Sequence, residues 1–447
     1  MPTDISLSKT MPHNLEAERA VLGSVLLDDK AIFIAAENLL SGDFYLEAHR
    51  IIFERMIDLM QEERSIDTVT LHQELRRHDE EEKIGGPTYL IGLTDGLPRA
   101  TNIGHYAQIV REMASLRQLI QLSNESMQRC YQAEDRPSQI IESIEERIFS
   151  IAAREKNEGF QAASELTSHV YKEIEEADKQ KSPVIGISTG FTALDNLTGG
   201  LHPRDLVIIA ARPGLGKTAL CLNTACNAAI RNKRAVGIFS LEMSKEALIK
   251  RMISAEAQID GRRMRDGSLT GDEWQRIAQA TNQINQARIF LDDSPNLTGL
   301  QLRAAAQRLK LQHGIDLLIV DYLQLLSGRN KRYETRNQEI TEISRGLKNL
   351  AKELNAPVIA VSQLNREIEK RTAGRKPQLS DLRESGAIEQ DADLVIFISR
   401  DEMNLVAENN SGIAEITIAK QRNGPTGGFE LVFLKTFTKF ENLRKEQ

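Results

Sequence analysis

The sequence predicts an α/β fold for the C-terminal part of the chain, preceded by an all-α N-terminal domain. From Gly186 onward, short apolar segments alternate with amphipathic segments of helical length, which is typical of a mostly parallel sheet with helices on both faces. Before residue 155, apolar residues recur instead at helical spacing. At 447 residues, the chain is too long for one ordinary core. We therefore predict a helical domain at 1–155, a linker with one helix at 156–185 and an α/β domain at 186–447.

The composition is that of a soluble globular protein, with 40% apolar and 27% charged residues. Because the net charge is −7, a nucleic-acid site would have to be a local basic patch. The three cysteines show neither disulfide nor zinc-ligand spacing, which indicates a reducing compartment. The histidines of the N-terminal half are scattered, so surface or capping roles are expected for them. No run of about 18 apolar residues is present, so we expect a cytoplasmic protein without membrane contact.

Individual elements follow from these patterns. Asn14 is suited to cap the first helix, and residues 105–130 predict either one long helix or one arm of a helical hairpin. Two alternating segments near the C-terminus, Ala414–Gln421 and Phe429–Thr436, predict a β-hairpin with a glycine-rich turn. Six apolar segments are predicted as the strands that precede this hairpin: Leu206–Ala211, Ala235–Leu241, Ile289–Asp292, Leu317–Asp321, Val358–Val361 and Leu394–Ser399.

The linker contains one predicted amphipathic helix, Glu165–Lys179, with Leu166, Val170 and Ile174 on one side. A single helix between two domains has nothing of its own to pack against. It lies either on its own C-terminal domain or on a neighbouring subunit, and the sequence leaves both alternatives open.

The most informative segment is Ala210–Thr218, which reads AARPGLGKT. It follows an apolar strand and precedes a helix, which is the order that a phosphate-binding P-loop requires. Lys217 is expected to neutralise the β- and γ-phosphates and Thr218 to hold Mg²⁺. Ala211 stands where the usual pattern has its first glycine, and a chance loop between strand and helix is the alternative. The predicted nucleotide-binding residues are Pro213, Gly214, Leu215, Gly216, Lys217, Thr218 and Ala219.

Three polar residues stand at the ends of other predicted strands, where parallel strands meet one edge of the sheet. Asp321 ends the apolar segment LLIVD and would support Mg²⁺, although a cap or turn aspartate is the alternative. Glu242 can polarise a water for in-line attack on the γ-phosphate, although it could also cap a helix or be solvated. Gln363 can contact the γ-phosphate and report its loss.

Two cations, Lys420 and Arg422, stand at the tip of the predicted hairpin. Neighbouring cations repel each other, so a phosphate bound by the next subunit would explain the pair, with Arg422 as an arginine finger acting in trans. Two solvated surface cations are an equally good explanation from spacing alone.

Two segments are candidates for DNA contact, 329–336 and 381–387. The first holds four cations and one acid, including Arg329, Lys331 and Arg332. Because few aromatic residues are nearby, the contacts would be mostly to phosphate and independent of base sequence. Solvated charged loops are the alternative.

Taken together, the motifs resemble those of the replicative DNA helicase family of the bacterial DnaB type, in order and almost from end to end. The run Asp381–Asp393, which reads DLRESGAIEQDAD, is especially specific. The other matching segments are Pro12–Glu18, Thr189–Asp195, the P-loop, Ser240–Ser244, Leu318–Leu325, Val361–Asn365 and Lys420–Gly424.

The resemblance implies a homohexameric ring with a RecA-like motor domain and a helical collar. It implies ATP-driven 5′→3′ translocation on single-stranded DNA and unwinding at the replication fork, with primase and a helicase loader as partners. It also implies roles for single residues. Glu242 would be the base, Lys420 and Arg422 would reach the adjacent subunit's site, and Arg251 would lie near the nucleotide. The residues matching the family's DNA loop are Arg383, Glu384 and Gly386.

Other protein classes fit the sequence less well. A filament-forming recombinase would share the P-loop, and a ring-shaped signalling ATPase of the circadian type would usually carry two tandem P-loops, whereas one is found here. A pure assembly scaffold would not need Glu242, Asp321 and Gln363 together. DNA-stimulated ATP hydrolysis coupled to strand displacement separates these classes.

Overall fold

The structure of the protein, a computed structural model, divides into two compact units, Met1–Gly159 and Phe160–Gln447. The described residues are 10–95, 102–155, 184–295, 297–323, 336–364, 377–381, 386–400 and 411–443, with short pieces at 162–164, 167–168, 170–171 and 175. The linker-helix residues Leu166 and Ile174 lie outside them, so the two alternatives for that helix stay open. Among the described residues, no helix has both the length and the apolar content needed to cross a membrane.

The first unit is helical throughout its described part, as the sequence predicts. Asn14 caps the first helix by accepting a hydrogen bond from the Ala17 N–H group at 3.0 Å. The long amphipathic stretch is one continuous helix of 30 residues, α6, and it is also one arm of a helical hairpin, because α7 packs back against it and Arg147 of α7 pairs with Glu125 of α6. The helices are α1 (Leu15–Leu27), α2 (Ala31–Asn38), α3 (Glu47–Gln61), α4 (Thr68–Arg77), α5 (Pro87–Gly92), α6 (Ile103–Gln132) and α7 (Pro137–Glu155).

One histidine of this unit corrects the expectation of surface or capping roles. His49 is fully buried, with Nδ1 2.6 Å from a Glu18 carboxylate oxygen and Nε2 2.8 Å from the Tyr89 hydroxyl. The same carboxylate accepts the Tyr45 N–H group at 2.6 Å, just before α3 begins. A buried polar ring needs such partners, and here they come from two other helices, α1 and α5. His49 therefore ties α1, α3 and α5 together.

The second unit is built on one sheet of nine strands in the order β3-β2-β4-β5-β1-β6-β7-β8-β9. Strands β1 to β6 pair in parallel, and β7 to β9 extend the sheet in antiparallel fashion. The strands are β1 (Leu206–Ala211), β2 (Val236–Ser240), β3 (Ile289–Asp292), β4 (Leu317–Asp321), β5 (Val358–Gln363), β6 (Leu394–Ser399), β7 (Ser411–Gln421), β8 (Gly427–Leu434) and β9 (Lys439–Asn442).

The predicted strands and hairpin are confirmed, with ends that differ by at most three residues. The short final strand β9 is the one strand among the described residues that the sequence pattern missed. Its four residues alternate too briefly to give a signal, and it pairs with β8 only because the chain turns back over the intervening residues.

Helices cover both faces of this sheet, so the chain has the predicted α/β architecture. Alternate residues of β1 belong to two different apolar cores: Val207 and Ile209 face one, and Ile208 and Ala210 face the other. The helices described in this unit are α8 (Thr192–Thr198), α9 (Lys217–Cys226), α10 (Lys245–Ala257), α11 (Gly261–Asp266), α12 (Gly271–Gln286), α13 (Gly299–His313), α14 (Arg336–Leu354) and α15 (Gly386–Asp391).

Candidate functional site

The sheet order brings the predicted site residues to one edge. Strands β2, β4, β5 and β1 are consecutive neighbours, and all four run in the same direction. The last residues of neighbouring strands are paired, Ser240 with Asp321 and Ala211 with Gln363. The P-loop that follows β1 therefore opens at the same edge as Asp321, Gln363 and the residues just after β2.

Ala211 explains why the first glycine of the usual loop pattern is dispensable here. It is the last residue of β1 and is fully buried, with regular parallel partners in β5 and β6. A residue in extended backbone needs no glycine, and the methyl group fills part of the core. The departure from the usual pattern thus falls at the strand end and leaves the loop itself unchanged.

Gly216 is the glycine that the loop requires. Its φ is +102°, a conformation that other residues rarely adopt, and it precedes the first residue of α9. A Cβ atom at this position would lie 2.9 Å from the Phe440 ring. Backbone conformation and packing both exclude a larger residue, so Gly216 fixes the direction in which α9 leaves the loop.

Lys217 spans the two ends of the loop. Its Nζ atom donates to the carbonyl oxygens of Ala211 at 3.0 Å and Arg212 at 3.2 Å. Burial lowers the pKa of the Lys217 ammonium, and the negative charges of Asp321 and Glu242 act in the opposite direction. The ammonium is therefore placed at the mouth of the loop between two carboxylates and the N-terminus of α9.

Thr218 and Asp321 are in direct contact. The Thr218 hydroxyl donates to an Asp321 carboxylate oxygen at 2.7 Å, and Asp321 is 3% exposed. Burial raises the pKa of the Asp321 carboxyl, the Thr218 hydrogen bond lowers it, and the charge of Glu242 raises it further. A hydroxyl and a carboxylate side by side at the loop are the hard oxygen donors that Mg²⁺ prefers, so the residues present fit a magnesium ion.

Glu242 and Arg251 lie around this pair. Glu242 follows β2 and is exposed, and its charge acts on Lys217 and Asp321. Arg251 is half-buried on α10, and its positive charge favours the ionised form of Asp321. An exposed carboxylate beside the loop mouth is available to a water molecule there, as a general base must be.

Gln363 is the last residue of β5 and is half-buried. The sequence pattern placed it after a strand ending at residue 361, but the strand continues through Gln363 and pairs with Ala211. Its backbone is therefore paired directly with the strand residue that precedes the P-loop.

Lys420 and Arg422 lie at the opposite edge of the sheet. Strand β7 runs antiparallel to β6, so Gln421 pairs with Leu394 at the start of β6. Two backbone hydrogen bonds place Arg422 in the sheet. The backbone N–H group of Arg422 donates to the Asp393 carbonyl at 2.9 Å, and the backbone N–H group of Asp393 donates to the Leu206 carbonyl at 2.9 Å. Arg422 is thus level with the first residue of β1, whereas the P-loop follows the last. At about 3.3 Å per residue, the length of β1 separates them by about 17 Å.

The partners of these cations correct one step of the sequence argument. Both cations have hydrogen-bond acceptors within the chain, namely carbonyl oxygens at the end of α15. Lys420 Nζ donates to the Glu389 carbonyl, and Arg422 Nη2 donates to the Gln390 carbonyl at 2.8 Å. Burial and the charge of Arg422 lower the pKa of Lys420. Repulsion between Lys420 and Arg422 therefore does not require an external anion. The remaining argument for a phosphate from a neighbouring subunit is the position of the two cations in the sheet.

The predicted DNA-contact residues are mostly beyond what the structure describes. Arg329, Lys331, Arg332, Arg383 and Glu384 lie outside the described residues. Gly386 is described as the first residue of α15, whose last carbonyls hold Lys420 and Arg422.

This fold and site define a P-loop nucleoside triphosphatase of the α/β type, and comparison with known proteins gives its family. Residues 186–442 match the family model of the DnaB-like helicase C terminal domain, and residues 10–112 match that of the DnaB-like helicase N terminal domain. The chain belongs to the DnaB-like helicases, and it is an ATP-dependent replicative DNA helicase.

Similar proteins span nearly the whole chain. The replicative DNA helicase DnaC of Bacillus subtilis (strain 168) is 41% identical over 443 residues, which are 99% of this chain and 97% of the relative. The replicative DNA helicase DnaB of Geobacillus stearothermophilus is 42% identical over 434 residues, which are 97% of this chain and 95% of the relative.

Two solved structures also resemble the chain. One is a DnaB-like replicative helicase described together with its interactions with primase. It has a TM-score of 0.76 and 32% identity and covers 96% of this chain and 100% of its own. The other is an isolated ATPase domain with a TM-score of 0.60 and 37% identity, and it covers 64% of this chain and 100% of its own. Both confirm the predicted RecA-like α/β domain, and the first structure, together with the N-terminal family model, also confirms the helical N-terminal domain.

Proposed function

We propose that the chain unwinds DNA as a homohexameric ring whose nucleotide sites are each completed by two subunits. The observation that supports this is the position of the two halves of the site. The P-loop opens at the carboxyl edge of the sheet, and Arg422 lies at the other edge, about one strand length away. Both halves meet when identical subunits pack head to tail, and repeated head-to-tail contacts of suitable rotation close into a ring.

Within each site, the residues of the P-loop edge bind and position ATP. Lys217 holds the β- and γ-phosphates, with Pro213, Gly214, Leu215, Gly216, Thr218 and Ala219 around the phosphate chain and Arg251 nearby. Thr218 and Asp321 would hold Mg²⁺, which neutralises phosphate charge when bound.

Hydrolysis then uses the remaining polar groups. Glu242 accepts a proton from a water whose oxygen attacks the γ-phosphorus, and the bond from that phosphorus to the β–γ bridging oxygen breaks to release ADP and phosphate. Gln363 senses the γ-phosphate. Arg422 and Lys420 of the neighbouring subunit meet the charge that develops on the departing phosphoryl group.

The ring would couple this reaction to 5′→3′ movement along single-stranded DNA. The proposed contacts are phosphate contacts from the loops that hold Arg329, Lys331 and Arg332 and from Arg383, Glu384 and Gly386. We further propose a collar from residues 1–155, a linker at 156–185 whose helix docks on a neighbouring subunit, primase and a loader as partners, and a cytoplasmic location. A solved relative described with its primase interactions supports the primase proposal.

Tail polarity tests the proposed direction. We expect strand displacement from a forked duplex that carries an unpaired 5′ tail on the encircled strand, and little from a duplex with only a 3′ tail. Because movement requires hydrolysis, Lys217→Ala should abolish displacement on both substrates while tail binding persists. Release of a labelled strand is the readout. Equal displacement from both tails, or from the 3′ tail alone, would contradict the direction proposed here.

A further inference from the structure

Asp393 stands at the junction of four structural elements. It lies between the end of α15 and the start of β6, and it is 6% exposed. One carboxylate oxygen, Oδ2, accepts the Leu206 N–H group at 2.8 Å and also the Lys348 ammonium of α14. The other, Oδ1, lies 3.4 Å from Arg422 Nη1. A single buried carboxylate thus contacts β1, α14 and the Arg422 guanidinium.

The charges in this cluster leave Arg422 available to a further anion. A buried carboxylate needs a compensating cation, and Lys348, whose side chain is 15% exposed, supplies it. The Arg422 side chain is 49% exposed, so only part of its guanidinium is engaged within the chain. Among the described residues, the guanidinium contacts the Gln390 carbonyl at 2.8 Å and Asp393, through two different nitrogens. Two contacts fix the direction of a planar guanidinium, whereas one lets it rotate.

We propose that Asp393 is a positioning residue for Arg422, which it aims at the phosphate bound by the adjacent subunit. The inference rests on the proposed role of Arg422 in trans. Asp393 itself touches no nucleotide in this account. It acts only through the guanidinium, while Lys348 balances its charge and Leu206 anchors it to the sheet.

Asp393→Asn tests the proposal because the replacement amide breaks one contact selectively. The amide oxygen can keep the Oδ2 position, where it accepts both the Leu206 N–H group and the Lys348 ammonium. The amide NH₂ group then takes the Oδ1 position and faces Arg422, so two donors oppose each other. A guanidinium displaced by about 1 Å is expected to lower the rate substantially, and we expect kcat for ATP hydrolysis to fall about 10–100-fold. KM for ATP should change less than about twofold.

Asp205→Asn is the matched control. Burial raises the pKa of the Asp205 carboxyl, and the charges of Asp393, Lys348 and Arg422 also act on that pKa, so Asp205 belongs to the same charge cluster. No hydrogen bond joins its side chain to Arg422 in the part of the chain that the structure describes. Asp205→Asn removes a negative charge but leaves the contact between Asp393 and Arg422 intact, so kcat should stay within about twofold of the value for the unsubstituted protein. A similar fall in both variants would assign the effect to charge and would overturn the positioning role.

Mixed rings decide whether Asp393 acts on its own subunit's site or on the neighbour's. We would mix the Asp393→Asn protein with Lys217→Ala protein, and in parallel mix Arg422→Ala with Lys217→Ala. A site that takes Lys217 from the Asp393→Asn subunit and Arg422 from the Lys217→Ala subunit is intact under this proposal. ATPase activity should therefore rise above the sum of the two separate proteins in both mixtures, with mixed rings verified by light scattering.

The outcomes separate the inference from the proposed function. Recovery with Arg422→Ala but not with Asp393→Asn would overturn the inference alone, because Asp393 would then serve its own P-loop through Leu206. Mixed rings without recovery in either mixture would mean either that Arg422 acts within its own subunit or that turnover needs more than one intact interface. Wild-type rings doped with traces of each mutant separate these cases, and a loss of activity that is only proportional to the trace would then overturn the shared site itself. If Asp393→Asn does not yield folded protein, Asp393→Glu enters the same mixture. It keeps the charge beside Lys348 but displaces the carboxylate by one methylene, and the same outcomes apply.

Discussion

Arg422→Ala is expected to reduce ATP hydrolysis by about 10³–10⁵ while ATP remains bound. An arginine finger has an effect of this size because its charge meets negative charge that develops only as the phosphoryl group departs. Ground-state binding depends instead on Lys217 and the loop, which lie about one strand length from Arg422 of the same chain. Steady-state kinetics should therefore show a loss in kcat with little change in the nucleotide dissociation constant.

Arg204→Ala is the control for this variant. Arg204 is an exposed cation at the same edge of the sheet, where its guanidinium donates to the Asn355 side chain at 2.8 Å. Like Arg422→Ala, Arg204→Ala removes one positive charge from this edge of the sheet, and it should leave turnover within about twofold of the unsubstituted protein. If Arg422→Ala kept near-normal turnover, or if both variants lost activity equally, Arg422 would not be a finger.

Glu242→Gln is expected to leave ATP bound and to lower hydrolysis by about 10²–10⁴, which is the usual loss when a general base is removed. The amide keeps the shape of the side chain but cannot accept the proton of the attacking water. Single-turnover assays with labelled ATP would measure the chemical step, and equilibrium binding of a fluorescent nucleotide would measure retention of the site.

Glu246→Gln separates this role from a general effect of charge. Glu246 is an exposed acid in the first turn of α10, four residues beyond Glu242. Its replacement by glutamine is expected to leave ATP turnover unchanged. Turnover by Glu242→Gln that matched this control would mean that another group activates the water.

The sequence predicted the P-loop edge well, for a physical reason. Apolar strands buried on both faces give strong local signals, and parallel strands must end at one edge. Asp321, Gln363 and the loop therefore could be placed together before any coordinates were known. The sequence also assigned Thr218 and Asp321 to the same Mg²⁺, but it did not predict that the Thr218 hydroxyl donates directly to the Asp321 carboxylate.

The opposite edge was less predictable because it depends on pairing between distant segments. The anchors of Lys420 and Arg422, the carbonyls of Glu389 and Gln390, follow from the register of β6 with β7. That register contains an irregularity between Val395 and Ile396, which no local pattern reveals. For the same reason, His49 was wrongly expected at the surface, since its partner Glu18 lies 31 residues away in sequence.

The central claim is that each nucleotide site is shared between two subunits. The most direct measurement is a structure of the assembled protein with ADP, Mg²⁺ and a fluoride mimic of the γ-phosphoryl group. We predict that the mimic lies between Lys217 and Thr218 of one subunit and the Arg422 guanidinium of its neighbour, with that guanidinium still in contact with Asp393. A bound mimic that is enclosed by residues of one chain alone, with every Arg422 facing solvent, would contradict the claim.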